Sequence, residues 1–254
     1  MPTDSALLPN HTLRDEIRDY WSERAEGFDN DPGHAIADGH ERQAWQALFA
    51  RHLGAAQGRA LLDLASGTGE ISLLCHDLGF QVTGLDWSEP MLERARTKAS
   101  ARSAKISFLQ ADAERTMLPT ASVDVIVTRH LVWTLVDPRA AFAEWRRVLR
   151  PDGQILIVDG DFVTRSWIGR GLARLLPKAE GPMASRHRQI LSQVFFAQGA
   201  RAAQVAALLQ EAGFHDIRID KRFRAIHSAQ AQKLGLLKSL LRRSEHRYAI
   251  SARA

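Results

Sequence analysis

Hydrophobic positions along this 254-residue chain keep a helical period at first and then switch repeatedly between strand and helix periods. In ERQAWQALFARHL, Trp45, Leu48, Phe49 and Leu53 recur at helical spacing, so residues 13–53 read as helical apart from FDNDPGHAIADG, a stretch rich in Asp, Asn, Pro and Gly. From residue 59 short apolar runs alternate with amphipathic segments. RALLDLA predicts a first strand, and EISLLCHDLGF a helix that stops near Gly79. QVTGLDW predicts a second strand, followed by EPMLERARTKASA, a helix with Pro90 in its first turn, where a missing N–H costs little. KISFLQAD and VDVIVTRHLV predict strands three and four. DPRAAFAEWRRVLRPDG predicts a helix with Phe142, Trp145 and Leu149 on one face, and QILIVDGDF a fifth strand.

The alternation breaks over residues 163–200, which carry helical and polar segments without a clear strand. It resumes with a helix in AAQVAALLQEAGF, a strand in DIRIDKRF, a helix in AQAQKLGLLKSLLRR and a terminal strand in HRYAISARA. Strand and helix alternating at this pitch predict a mostly parallel α/β sheet with helices on both faces. The irregular regions exceed an ordinary connection. They suggest a cap over the ligand-binding edge: an N-terminal helical cap over 1–55, then a sheet domain over 56–254 with a lid insertion near 163–200.

In a doubly wound sheet, ligands sit beyond the carboxyl ends of the strands. ASGTGE, after the first strand, lies at that edge. A phosphate-binding loop needs Gly-Lys-Ser/Thr, but Gly69 is followed by Glu70, whose carboxylate would repel a nucleotide tail. A dinucleotide fingerprint needs a third small residue, for which Ser72 is a poor match. Asp63 ends the first strand and Asp86 the second. An acid at the second strand's end, about 20 residues beyond the loop, suits a ribose diol. Carboxylates beside the loop suit a ligand carrying a sulfonium and an ammonium and no phosphate.

At this point the chain resembles the class I S-adenosylmethionine-dependent methyltransferases. LLDLASGTGE is similar to their first motif, with Ala65 in place of its first Gly. VTGLDWSEPMLERAR is similar to the second strand and following helix, and LQADAERTMLP to the adenine-contacting motif. VDVIVTRHLVWTLVDPRAAFAEWRRVLRPDGQILI resembles the ubiquinone/menaquinone-methyltransferase-like branch. The resemblance implies a Rossmann-like doubly wound, seven-stranded, mostly parallel sheet with an antiparallel last strand and a helical cap, and S-adenosyl-L-methionine as cofactor. It assigns Asp63, Ala65, Ser66, Gly67 and Gly69 to the methionine side, Asp86 to the ribose, and Trp87 and Met91 to the adenine pocket. Asp112 and Ala113 would meet the adenine edge, Arg129 the methionine side or the substrate, and Tyr20 would close over the cofactor. Phe28 stands where the family often has an aromatic.

Charge and cysteine content narrow the rest. The formal net charge is +5, with no basic block interleaved with aromatics, so nucleic acid is not an expected partner. The single Cys75 excludes an intrachain disulfide framework and a cysteine-based zinc site, and its helical spacing with Ile71, Leu74 and Leu78 points to a core thiol. No metal is expected, because His34, His40 and His187 lack ligand spacing. The N-terminus lacks a signal-peptide pattern and no segment is long and apolar enough to span a bilayer, so a cytoplasmic protein is the expectation.

Methyl transfer works mainly by positioning, and a base is required only for a protonated nucleophile. His130 and Arg129 are the catalytic candidates, with Asp159 and Asp161 as further possible bases. Trp133 shapes a pocket or simply packs. Lys178, Arg186, His187 and Arg188 group in sequence, as an anion site or as a solvated helix face. The expected reaction is O- or N-methylation of a small-molecule metabolite. The alternatives are C-methylation of a quinone-like precursor, an RNA or protein methyltransferase, and a non-catalytic cofactor-binding module. A homodimer is compatible with all of them.

Overall fold

The computed structural model describes residues 11–31, 33–164, 181–232, 234 and 236–254. Its elements run α1 (Leu13–Arg24), a 3-10 turn (Ala25–Asn30), α2 (His40–Leu53), β1 (Ala60–Leu64), α3 (Glu70–Asp77), β2 (Gln81–Asp86), α4 (Glu89–Ala101), β3 (Ser107–Gln110), β4 (Val123–Arg129), a 3-10 turn (Val132–Thr134), α5 (Pro138–Val148) and β5 (Leu149–Asp161). After them come α6 (Pro182–Gln193), α7 (Ala202–Glu211), β6 (His215–Asp220), α8 (Arg224–Ala231), α9 (Leu236–Arg243) and β7 (His246–Arg253).

The seven strands form one sheet in the order β3-β2-β1-β4-β5-β7-β6. β1 to β5 pair in parallel, and β7 runs antiparallel to both β5 and β6. The strand order therefore reverses between β1 and β4, which opens a crevice at their carboxyl ends. Alternation along the strands divides the core in two. Leu62, Ile126, Ile155 and Ile157 face Phe142 and Trp145 of α5 and Leu208 and Leu209 of α7. Leu61, Val125, Leu156 and Val158 face Trp45 and Phe49 of α2, Ile71 and Leu74 of α3 and Ile226 of α8. Each such side chain, fully buried, contributes about 1.5–3 kcal/mol. Cys75 lies in this second core and is fully buried.

Three elements differ from the sequence reading. α2, expected in the cap, packs on the sheet face, because its Trp45–Leu48–Phe49–Leu53 stripe is wide enough to cover β1 and β4. Of the expected N-terminal cap, α1 and the turn and loop after it reach over the crevice, where Ile17 and Tyr20 meet Ile190 and Val194 around α6. The expected single helix before β7 is two helices, α8 and α9. β5 begins at Leu149 rather than beyond the Pro-Asp-Gly turn, with its register to β4 shifted between Val123 and Val125. The segment 165–180 of the expected lid, including Lys178, lies outside the described residues.

Helices are set by local signals. Thr12 and Asp15 form a capping box on α1. Ser88 and Asp137 cap α4 and α5, each just ahead of a proline in the first turn. In β2, Gly84 lets the β3 ring of Phe108 cross over it: an added Cβ would stand 2.7 Å from the ring and 3.0 Å from Ser66 Oγ. Gly84→Ala is expected to destabilise the fold by about 1–3 kcal/mol in urea denaturation. Gly27→Ala, with nothing within 4 Å of the added carbon, serves as the control and should stay within roughly 0.5 kcal/mol.

Candidate active site

A cavity of about 420 Å³ opens at the carboxyl ends of β1, β2 and β4, under α1 and α6. Of the residues singled out from the sequence, Asp63, Ala65, Ser66, Gly67, Asp86, Trp87, Met91, Asp112, Ala113, Arg129 and His130 line it. Gly69 and Tyr20 do not.

The loop after β1 is built around backbone donors and buried acids. Ala65, Gly67 and Gly69 all have positive φ, at 53°, 53° and 82°. Ser66 N–H donates to the Leu85 carbonyl at 2.9 Å, which ties the loop to β2. Gly69 serves packing: it starts α3, and a Cβ there would lie 3.0 Å from Ala95 of α4. Asp63 is buried, accepts from Ser72 Oγ at 2.6 Å, and is pushed up to about 7 by burial, against the pull of that hydrogen bond and of Arg129. Asp86 accepts from Gly67 N–H and Ser88 N–H, both at 2.9 Å, and burial raises it to about 6. Ser66 Oγ is buried without a protein partner.

The wall beyond Asp86 carries Trp87, Met91, Asp112 and Ala113. Met91 is both core and wall, since it is buried and lines the cavity. Asp112 holds the turn after β3 through Glu114 N–H at 2.8 Å and faces Arg14 Nε at 3.5 Å. Glu114, which the sequence reading passed over, accepts from Val136 N–H at 2.7 Å and Asp137 N–H at 3.1 Å and pairs with Arg14. It fastens the start of α5 and the N-terminal helix to this wall.

Arg129 ends β4 and points beneath the cap loop. Its guanidinium donates to the carbonyls of Gly33 at 3.3 Å and His34 at 2.5 Å and sits 5.4 Å over the Trp45 ring. Burial lowers its pKa, and Glu70, Asp63 and Glu41 counter that. Glu70 and Lys98 form a second tie. Glu70 accepts from Ile36 N–H at 2.9 Å and pairs with Lys98 at 2.7 Å, and Lys98 also reaches Asp29 at 2.7 Å.

The remaining wall is aromatic. Trp21, Phe28, Trp133 and Phe162 line it, together with His34, His130 and His187. Trp133 meets Trp21, Phe162 and His187 edge-on at 6.4, 5.7 and 5.6 Å. Tyr20, expected to close over the ligand, instead stacks on His187 at 5.4 Å while its hydroxyl accepts from Arg24. One residue along a helix is a turn of about 100°. Trp21 therefore takes the position expected of Tyr20.

Asp159 and Asp161 do not line the cavity. Asp159 accepts from Val132 N–H at 2.7 Å and Gly160 N–H at 2.8 Å, and burial raises it to about 7. Asp161 accepts from Val163 and Thr164 N–H groups. Both shape turns rather than offering a base. Of the cations grouped in sequence, the three described ones take different partners. Arg186 pairs with Glu16 and Glu23, Arg188 donates to exposed Ser185, and His187 turns into the aromatic wall. Among the described residues no group of His, Cys, Asp or Glu could hold a metal, and no helix is long and apolar enough to cross a membrane.

Residues 62–157 match the methyltransferase domain family. The demethylmenaquinone methyltransferase of Thermus thermophilus is 35% identical over 103 residues, 40% of this chain and 47% of that one. The ubiquinone/menaquinone biosynthesis C-methyltransferase of Bdellovibrio bacteriovorus is 30% identical over 155 residues, 60% of this chain and 65% of that one. The matched regions thus span about half to just under two thirds of these relatives. Among solved structures, a phosphoethanolamine N-methyltransferase from Haemonchus contortus shares the fold at TM-score 0.67 and 18% identity, over 96% of this chain and 60% of that one. The geranyl diphosphate C-methyltransferase of Streptomyces coelicolor does so at TM-score 0.63 and 16% identity, over 97% and 99%. With the observed strand order and the acid-lined glycine loop, these similarities define a class I S-adenosylmethionine-dependent methyltransferase domain. Within that class the matched region is similar to the ubiquinone/menaquinone methyltransferases.

The family's Gly is replaced by Ala65 at a position whose φ is 53°, where a Cβ costs about 1–2 kcal/mol. Glycine would relieve that cost but lose more chain entropy on folding, about 0.5–1 kcal/mol. Ala65→Gly is accordingly expected to raise stability by roughly 0.5–1 kcal/mol, seen as a higher midpoint in thermal unfolding.

Proposed function

We propose that this chain binds S-adenosylmethionine in the cavity and transfers its methyl group to an oxygen or nitrogen of a small-molecule metabolite. The observation that carries the reading is Asp86. Two backbone N–H groups hold its carboxylate at the end of β2, on the wall of a ligand-sized cavity. This is where a ribose diol finds an acceptor.

The donor set fits that ligand. Asp63 and Asp86 favour positive charge, and the buried Ser66 hydroxyl has lone pairs and a proton to offer. Asp63 with the loop N–H groups would hold the methionine part, Asp86 the ribose, and Asp112 and the Ala113 backbone the adenine edge, against Trp87 and Met91. The ligand supplies a methyl group already activated by its sulfonium, so the protein's work is to orient the acceptor and exclude water. We read α1 and α6 as the cap that does so.

Arg24 and Arg247, also on the wall, already pair with Asp31 and Glu245. An acceptor without a strong negative charge suits them better than an anionic one. A second reading, C-methylation of a quinone-like ring, is favoured by the names of the relatives and by the aromatic wall. Carbon-13 NMR of product made from methyl-labelled S-adenosylmethionine separates the two, since methyl groups on oxygen, nitrogen and carbon resonate at distinct shifts.

Titration calorimetry tests the cofactor claim. Asp86→Ala removes a charged acceptor and both loop ties, and is expected to weaken S-adenosylmethionine by roughly 10²-fold. Wild-type affinity in that variant would sink the assignment.

A pH dependence follows as well. A cationic ligand favours the ionised carboxylates, so binding lowers their pKa values and expels protons below about pH 7. Affinity should hold above pH 7 and fall by about tenfold per pH unit for each carboxyl that must ionise, first at Asp63 near 7 and then at Asp86 near 6. Calorimetry in two buffers of different ionisation enthalpy at pH 6 measures the released protons.

A further inference from the structure

His34 is an imidazole that the sequence offers no reason to choose. It lies on the cap loop between the 3-10 turn and α2, away from any motif. In the structure it lines the cavity, stacked on Phe28 with centroids 4.0 Å apart. Its Nδ1 is 2.9 Å from the Phe28 carbonyl oxygen. A carbonyl can only accept, so Nδ1 carries the proton, and in the neutral ring the lone pair falls on Nε2. The loop that carries it is held from below, because Arg129 binds the His34 and Gly33 carbonyls, and from the side by the Ile36 N–H on Glu70. Arg129 is also the cation that acts on Asp63, so His34 stands over the end of the site assigned to the methionine part.

We propose that His34 is the proton acceptor of the transfer, taking the proton from an aromatic hydroxyl seated against Trp21, Trp133 and Phe162. This rests on the methyltransferase reading and adds to it the base and the class of acceptor. Atoms and charge balance without any further reactant. The acceptor's O–H bond breaks and its proton passes to Nε2 while its oxygen bonds to the methyl carbon. The C–S bond breaks, its electron pair stays on sulfur, and the positive charge moves from sulfur to the imidazolium, which then yields its proton to solvent. The aromatic wall accounts for a planar acceptor, since offset and edge-on ring contacts hold flat groups.

The surroundings keep the ring able to accept. The charged groups acting on His34 are Arg129 from β4, Arg24 from α1 and Asp31 on its own loop, and the His130 ring stands 6.4 Å away. Burial, Arg129 and Arg24 lower its pKa, while the Phe28 hydrogen bond and Asp31 oppose them. The result lies below the ordinary histidine value, so the ring is neutral at pH 7.

The test has one readout on the protein itself and one on the reaction. In isotope-labelled wild type bound to S-adenosylhomocysteine, NMR should show His34 as the Nδ1–H tautomer, titrating below the ordinary histidine value. An Nε2–H tautomer, or a ring charged at pH 7, overturns the proposal. For the reaction the probe acceptor is 2-naphthol. His34→Asn keeps a donor for the Phe28 carbonyl and removes Nε2. It should bind S-adenosylmethionine within threefold of wild type by calorimetry, yet methylate 2-naphthol about 10²-fold more slowly and lose the acid limb of kcat measured at saturating S-adenosylmethionine, where the pH dependence of cofactor binding drops out. A rate within threefold of wild type, or an acid limb that persists, overturns the assignment of the base. No turnover of 2-naphthol by wild type at any pH overturns the aromatic hydroxyl. A wild type that does not bind S-adenosylmethionine fails earlier, at the proposed function itself.

Discussion

The site depends on how one buried carboxylate is held. Asp86 has left water at the end of β2, and the isolated ion would be costly there. What makes its burial tolerable is that each oxygen meets a backbone N–H, one from the loop after β1 and one from the first turn into α4. Those two bonds place Gly67 and Ser88 with respect to each other. They hold the β1 loop open in its left-handed turns and start α4 on its Ser88 cap. The carboxylate is thus at once the tie between two loops and the acceptor facing the cavity. The same geometry accounts for its raised pKa: desolvation outweighs the backbone N–H groups of Ser88, Gly67 and Trp87, which favour the ion.

The cap is fixed by the same kind of bond, applied three times from below. Arg129 holds the carbonyls of Gly33 and His34, Glu70 holds the N–H of Ile36, and Lys98 joins Glu70 to Asp29 of the 3-10 turn. Each tie ends on backbone or on a partly buried group, where water screens weakly and a lost partner leaves an unsatisfied charge. Glu70 thereby has two meanings. In the sequence it excludes a phosphate ligand, and in the structure it is the post on which the cap loop rests.

The sheet and the loop after β1 that lines the cavity were legible because their signals are local. Short apolar runs, the acids that end them, and the caps and first-turn prolines of α4 and α5 mark positions that depend on few distant partners. The acceptor side was not legible, because nothing local distinguishes the residues involved. Tyr20 and Trp21 are adjacent aromatics, and only the docking of α6 on α1 decides which of them faces the cavity. α2 reads as an amphipathic helix equally suited to a cap or a sheet face, and its stripe chooses between them only once β1 and β4 are present. Asp159 and Asp161 read as acids at the end of a strand, the right place for a base, yet both are consumed by backbone N–H groups of the turns that follow.

The contrast between Asp159 and Asp63 shows what separates a structural acid from a site acid in this fold. Both are buried, both are raised to about 7 by desolvation, and β1 and β5, on either side of β4, carry them near the same edge. pKa therefore does not discriminate. Hydrogen-bond supply does. Asp159 meets the Val132 N–H on one oxygen and the Gly160 N–H on the other and stands off the cavity. Among the described residues Asp63 is served by Ser72 alone, through its hydroxyl and its backbone N–H, and lies on the wall, so acceptor capacity remains on the cavity side. Burial that raises the pKa of Asp63 lets it take up a proton near neutrality, and a neighbouring positive charge such as that of Arg129 works against that proton.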